Sequence, residues 1–345
     1  MSWLSFFLIL FGVSWACIGL FRWYAVEKGM IDEPNERSSH TIPTPRGGGF
    51  IFCLLFAGLL SVLYYFQLVS MATFWLLIPA ILMGCVGFWD DMKGLSVIPR
   101  FFFQCILAAA CLYIANENGE LIFSYIPYSL ILCFSLLVIS MVWMVNLYNF
   151  MDGSDGLAAM EAIFIFGLGG YFLYASDAYE WATIAWGLMA LVLGFLAWNW
   201  PKARIFMGDS GSGFLGMCVA TFVLISYKYF HIPITIWIIL TGLFWFDSTV
   251  TLIRRMIARE PFWKAHRSHA YQRLIQARWS HQKVLIGALG VNNVLGGLAY
   301  IAFKDPRLLP FSLGVSVSFL ACIYILIEII KPMFKDWHEV IETET

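Results

Sequence analysis

"YIPYSLILCFSLLVISMVWMVNLYNFMDGSDGLAAMEAIFIFGLGGYFLYA", residues 125–175, sets two oily runs, 125–145 and 157–175, on either side of one short polar turn. Each run has about the 20 apolar residues that a helix needs to cross a bilayer. Neither run alternates in the period of two that a spanning barrel strand would show. In lipid only helices and closed barrels satisfy their own backbone, so the stretch reads as two spanning helices joined at a tight turn.

The same pattern recurs along the chain. Eleven candidate spans cover 3–21, 50–66, 72–89, 101–115, 125–145, 157–175, 181–198, 214–230, 233–252, 284–303 and 311–330. The composition agrees: of 345 residues 61% are hydrophobic and 12% charged, with a mean hydropathy of +0.78, against about 25% charged in a soluble domain. The fold class expected is an all-α polytopic integral membrane protein, a bundle of about eleven transmembrane helices forming one domain over 1–345. The eight cysteines are scattered and form no C-x-x-C, which argues against a disulfide framework or a zinc site. The first apolar segment lacks a basic start and a small-residue cleavage site, so it reads as a retained span.

Charge gives the orientation. Eighteen of the 21 Lys and Arg fall on one set of loops (22–49, 90–100, 199–213, 253–283 and the tail from 331), leaving Lys228, Lys304 and Arg307 for the other. The positive-inside rule then puts the N-terminus outside (periplasmic), the C-terminus in the cytoplasm, and the turn at 146–157 on the cytoplasmic side.

That side also collects the acids: Asp90 and Asp91 in "GFWDDMKGL", Asp152 and Asp155 in the turn, Asp209 in "FMGDSGSG" and Asp247 in "FWFDSTV". An ionisable group at the centre of a span costs roughly 2.5–3.5 kcal/mol and is usually functional. One carboxylate at a span end can be a cap or a solvated rim, and for Asp247 that reading stays open. Five on three loops would repel one another unless a cation compensates them, and magnesium suits oxygen ligands that include one or two carboxylates and substrate phosphates. Asn146, Asn149, Asp152 and Asp155 recur every three residues, on one helix face if the helix continues. Gly153 and Gly156 are expected to break it near Asp152, leaving Asp152 or Asp155 free to cap the next span. Arg46 and three glycines in "TPRGGGF" offer free amides for phosphate. "GSGFLG", 211–216, has the spacing of a dinucleotide loop but no preceding strand, so that reading is rejected. The segment "REPFWKAHRSHAYQRL", 259–274, is either an interfacial basic helix on anionic lipid or a positive lid over an anionic substrate.

Four motifs in this order, "DDMKG" from Asp90, "NLYNFMDGSDGLA" from Asn146, "PKARIFMGDSGSGFLG" from Pro201 and "HRSHAYQRL" from His266, resemble one family over nearly the whole chain. It is the polyprenyl-phosphate N-acetylhexosamine-1-phosphate transferases (glycosyltransferase family 4), which include the phospho-N-acetylmuramoyl-pentapeptide transferases. The resemblance implies that a lipid phosphate attacks the β-phosphate of a UDP-N-acetylhexosamine, forming polyprenyl-diphosphate-sugar and releasing UMP, with Mg²⁺ required and Mn²⁺ a candidate substitute. It implies catalytic roles for Asp90, Asp91, Asp152 and Asp155, and magnesium ligation by Asp209 and Asp152. It implies substrate contacts from Lys93, Arg46, Asn146, Asn149, Lys202, Arg204, His266, Arg267 and His269.

The spaced His266 and His269, in place of the adjacent histidines of the muramoyl-pentapeptide branch, favour simpler sugars and the undecaprenyl-phosphate N-acetylglucosamine-1-phosphate transferase branch. The expected setting is the bacterial inner membrane, at the first membrane step of O-antigen, lipopolysaccharide or related cell-wall polysaccharide synthesis. The expected partners are polyprenyl (undecaprenyl) phosphate and the UDP-sugar, with no nucleic acid and a homodimer left open. Two rivals remain. A cation- or proton-coupled transporter would relay charge through mid-span acids, and a glycosyltransferase cutting the sugar C1–O bond would release UDP.

Overall fold

The computed structural model describes residues 3–34, 42–116, 130–261 and 266–334. Among them ten helices are long and apolar enough to span a bilayer: α1 (Trp3–Glu27), α2 (Gly48–Tyr65), α3 (Met71–Lys93), α4 (Val97–Ala115), α5 (Leu130–Met151), α6 (Leu157–Ala175), α7 (Tyr179–Asn199), α8 (Gly208–Phe230), α12 (His281–Lys304) and α13 (Leu309–Ile330). Two shorter helices, α9 (Ile234–Leu240) and α10 (Gly242–Ile257), are long and apolar enough only together, as an eleventh candidate span with a sharp bend, and α11 (Ala270–Gln276) is a short helix with Ala270, Tyr271, Gln272 and Arg273 buried. A two-residue antiparallel pair, β1 (Ile31–Asp32) with β2 (Thr44–Pro45), closes the connection from α1 to α2. Ten of the eleven expected spans are single helices and the ninth is the bent pair; residues 125–129 of the fifth, and Lys264 of the basic segment, lie outside the described residues.

The axis of the bundle is α8, packed against α2, α3 and α5. Small residues let these backbones touch, which is how helices associate where lipid removes the hydrophobic incentive. A Cβ on Gly49 would lie 2.3 Å from the Gly211 Cα, and one on Gly216 would lie 2.7 Å from the Val145 Cα. The "GSGFLG" glycines therefore serve helix packing. The glycines of "TPRGGGF" do the same: the amides expected to face phosphate are used internally, Gly48 N–H bonding to Phe206 O (3.0 Å) and Gly49 N–H to Met207 O (2.9 Å). At the rim α1 and α13 show most of their surface to lipid.

The ninth span departs from the straight helix expected over 233–252. It bends by 79° between α9 and α10. The break falls at Thr241–Gly242, where the Thr241 hydroxyl bonds back to Trp237 O at 2.8 Å; a hydroxyl bonding into the ladder beside a glycine is a recognised cause of kinks. The bend opens an apolar groove of about 770 Å³ between α4, α5, α8, α9 and α10, lined by residues that include Leu112, Met144, Leu147, Val223, Trp237 and Trp245.

Candidate active site

Helices end later, and begin earlier, than hydropathy alone suggests, and this sets the site. α3 runs through Asp90 and Asp91 to Lys93, and α4 begins at Val97, so Arg100 sits in the first turn of α4 facing the last turn of α3. Asp90 organises that corner: its Oδ1 accepts Leu95 N–H at 2.6 Å and its Oδ2 accepts Arg100 Nη1 at 2.9 Å. The same Nη1 reaches Asp209 Oδ2 at 3.2 Å. One guanidinium thus joins two carboxylates from different helices.

Asp91 is committed to backbone. Its two oxygens accept Asp209 N–H (3.0 Å) and Ser210 N–H (3.1 Å) at the start of α8, a helix N-terminus capped by a charge from a neighbouring helix. Gly208 makes the approach feasible. Its φ is +77°, and a Cβ there would fall 2.6 Å from Asp91 Oδ2. Arg46 lies within electrostatic reach of Asp91.

On α5, Asn149 Nδ2 donates to Asp209 Oδ1 (2.6 Å) and to Ser212 Oγ (3.1 Å). One turn earlier Asn146 Nδ2 bonds Gln104 Oε1 on α4 at 2.8 Å. α5 stops at Met151, as the glycines require, and α6 is capped by Gly156 with no side-chain bond, so neither Asp152 nor Asp155 serves as the cap. Asp155 instead accepts Ala203 N–H at 3.1 Å, while Asp155 N–H points at His281 Nδ1 (3.2 Å), which also sits 3.0 Å from Ser154 Oγ. Asp152 is different. Among the described residues no donor bonds its carboxylate. Burial, with the charges of Asp209, Asp91 and Asp155 around it, holds it well above the usual carboxylate range.

The basic segment folds onto this surface. Asp247 on α10 is buried, and both its oxygens accept Ala270 N–H at 2.9 Å, with Thr251 Oγ1 donating at 3.0 Å; His269 Nδ1 stands 3.5 Å from Oδ1 without bonding it. That resolves the open reading of Asp247: it pins α11. Tyr271 donates to Phe150 O at 3.0 Å. The rings of His266 and His269 lie 4.9 Å apart in the loop before α11. Burial first, then His269 and Arg255, pushes His266 down to about 4, so it is neutral near pH 7 and adds no positive charge to a lid. Arg254 and Arg273 are both taken up by Glu328 of α13, and Arg267 O accepts Gln276 Nε2 at 2.6 Å.

The structure thus gathers Asp90, Asp91, Asp152, Asp155, Asp209, Asn149 and Arg46, with His266 and His269 on the adjoining segment. Lys93 and Lys202 are exposed and make no bond to the acids among the described residues, and Arg204 turns away onto Trp198. Arg100, Gln104, Ser212, Tyr271 and His281 were not among the expected site residues; as single polar residues at helix ends they carry no motif. Among the described residues no three His, Cys, Asp or Glu side chains form a metal-holding group by themselves.

Gly153 joins the two halves. A Cβ there would lie 2.1 Å from the Tyr271 hydroxyl, so Gly153→Ala is expected to cost about 1–3 kcal/mol by overpacking and to loosen α11. Trypsin should then cut faster at Arg267 or Arg273, and Tyr271→Phe in the same chain should restore part of the protection. Unchanged cleavage would refute the contact.

A family model for glycosyl transferase family 4 matches residues 73–227, which include five of the aspartates together with Arg100 and Asn149. A probable undecaprenyl-phosphate N-acetylglucosaminyl 1-phosphate transferase of Bacillus subtilis is 30% identical over 269 residues, 75% of this chain and 73% of the relative. A decaprenyl-phosphate N-acetylglucosaminephosphotransferase of Mycobacterium tuberculosis is 30% identical over 343 residues, 86% of this chain and 81% of the relative. A phospho-N-acetylmuramoyl-pentapeptide-transferase of Chlamydia trachomatis is 32% identical over 216 residues, 55% of this chain and 63% of the relative.

Proposed function

The chain belongs to glycosyl transferase family 4, and on that premise we propose that it transfers N-acetylhexosamine-1-phosphate from a UDP-sugar to polyprenyl phosphate. A lipid phosphate oxygen bonds to the β-phosphorus, the bond from that phosphorus to the bridging oxygen breaks, and UMP leaves. The observation that carries this reading is Asp152, a carboxylate with no donor among the described residues, set among Asp91, Asp155 and Asp209.

An acid so placed calls for a cation. The donor set fits Mg²⁺, which needs only one or two carboxylates and completes its shell with water and phosphate oxygens, so it does not require a three-residue group, of which there is none among the described residues. Asp152 and Asp209 would hold it, with Mn²⁺ as a substitute, and when bound it would supply neutralisation of diphosphate charge. The chain's own residues do the remaining work. The groove takes the polyprenyl tail and reaches Leu147, two residues before Asn149. Arg100, with one nitrogen shared between Asp90 and Asp209, is placed to meet the lipid phosphate. Asn149 fixes the Asp209 carboxylate, and Asp247 and Tyr271 hold the histidine segment beside the turn as a nucleotide contact. A lipid phosphate is already largely ionised near pH 7, with a second pKa near 6 by analogy with phosphorylated side chains, so positioning and charge balance suffice without a general base.

We read residues 1–345 as one transferase domain in a bacterial cytoplasmic membrane, with the site on the cytoplasmic side, where eighteen of 21 Lys and Arg fall. The sugar would be a simple UDP-N-acetylhexosamine, and the product a starting lipid for O-antigen or a related envelope polysaccharide. A transporter would spread its acids along the spans; these gather at helix ends. Purified protein given undecaprenyl phosphate, UDP-N-acetylglucosamine and Mg²⁺ should release UMP and stop on chelation. Release of UDP, or turnover indifferent to chelator, would overturn the proposal, and a panel of UDP-sugars read by UMP identifies the donor.

A further inference from the structure

At the end of α7 nearest the carboxylates, Trp198 is gripped by α1. Its indole N–H donates to Trp15 O at 2.9 Å, and the Trp15 ring stacks on it at 5.8 Å. Gly19 leaves the room for it, since a Cβ there would fall 2.7 Å from Trp198 Cζ2. Two guanidinium carbons approach the same ring, that of Arg22 at 6.0 Å from the centroid and that of Arg204 at 5.9 Å. Arg22 Nε also donates to Arg204 O at 3.0 Å, tying the C-terminal part of α1 to the loop before α8.

Among the described residues no carboxylate lies within ion-pair distance of either guanidinium. Glu27, the acid at the end of α1, is five residues past Arg22 and so on another face of the helix. Two like charges drawn to one indole gain from the ring but repel each other, and an anion between them would remove that cost. Trp15, stacked on the ring, is exposed, as are Trp23 and Trp200 next to Arg22 and near Trp198 in the chain, and aromatic residues gather in this way at the headgroup level of a bilayer. We propose that Arg22, Arg204 and Trp198 form a binding site for the headgroup phosphate of an anionic phospholipid.

The position favours a lipid over a soluble anion, because α1 and α7 are both long and apolar enough to span a bilayer and the ring sits at their shared end beside exposed tryptophans. Arg204 adjoins Ala203, whose N–H holds Asp155. A lipid bridging Arg22 and Arg204 therefore steadies the loop that carries one side of the carboxylate cluster.

The test reads lipid retention, independently of turnover. Delipidated protein in detergent is titrated with phosphatidylglycerol or phosphatidylcholine and bound lipids are counted by native mass spectrometry. The wild type should prefer phosphatidylglycerol by about tenfold or more, given two basic residues near the surface, and Arg22→Gln with Arg204→Gln should lose that preference. The pair Arg22→Lys with Arg204→Lys, which keeps both charges, should retain it. Equal affinity of the wild type for both lipids, a preference that survives in the glutamine pair, or its loss in the lysine pair as well would overturn the proposal. Displacement of the lipid by inorganic phosphate or UDP would also overturn it, marking a soluble-anion site instead.

Discussion

Asp209→Asn is expected to lower turnover by at least about a thousandfold while the protein stays folded and monodisperse in detergent. The substitution is isosteric, and the close packing of α3 on α8 at this point is Gly87 against the Asp209 backbone, not its side chain. The charge is another matter. Asp209 is the one carboxylate of the cluster bonded at once from α4, by Arg100, and from α5, by Asn149. An amide there must turn its NH₂ toward one of two donors, so it loses a bond as well as a charge. If Asp209 and Asp152 hold the divalent ion, losing one ligand should withdraw several kcal/mol from the developing charge, and each 1.36 kcal/mol is a factor of ten. UMP release measured over a range of Mg²⁺ concentrations checks this. A rate within about threefold of wild type at ordinary Mg²⁺ would sink both the ligand assignment and the reading of Asp152 as its companion.

The spans were legible because hydropathy over about 20 residues registers a bilayer whatever the neighbours do. Where the chain turns was less so. Asp90, Asp91 and Arg100 read as loop because they are charged, yet α3 and α4 carry them inside their terminal turns, where Asp90 and Arg100 balance each other across the corner. The break at Thr241 was hidden for a related reason: threonine and glycine interrupt neither the length nor the apolar average of residues 233–252, so only the backbone geometry reveals the groove.

In the site, the acids stood out because carboxylates beside spans are rare and costly. Their partners did not. Asp91 and Asp247 are satisfied by backbone amides of Asp209, Ser210 and Ala270, and an amide carries no sequence signal. His281 reaches Ser154 from 127 positions away, a pairing that no local spacing encodes. Lys202 and Arg204 share a motif with Asp209, but among the described residues neither bonds the acids, and Arg204 lies against the Trp198 ring instead, so proximity in the chain does not set which way a side chain turns.

Arg100 is the residue on which these strands meet, and its removal should show how the cluster balances its charge. The expectation for Arg100→Ala is a loss of roughly a hundredfold in kcat/KM, in line with losing a donor aimed at a phosphate in a partly desolvated site. Two explanations would give that loss. If Arg100 only holds Asp90 and Asp209 together, then Arg100→Ala paired with Asp90→Asn, which removes the unbalanced charge as well, should recover much of the rate. If Arg100 meets the lipid phosphate, the double variant stays slow and the single variant raises KM for undecaprenyl phosphate far more than KM for the UDP-sugar. Arg100→Lys separates the cases further, because a lysine keeps the charge but not the fork that can bond a carboxylate and a phosphate together. The geometry favours the second outcome: one Arg100 nitrogen serves both acids at 2.9 and 3.2 Å, which leaves the rest of the guanidinium for a third oxygen.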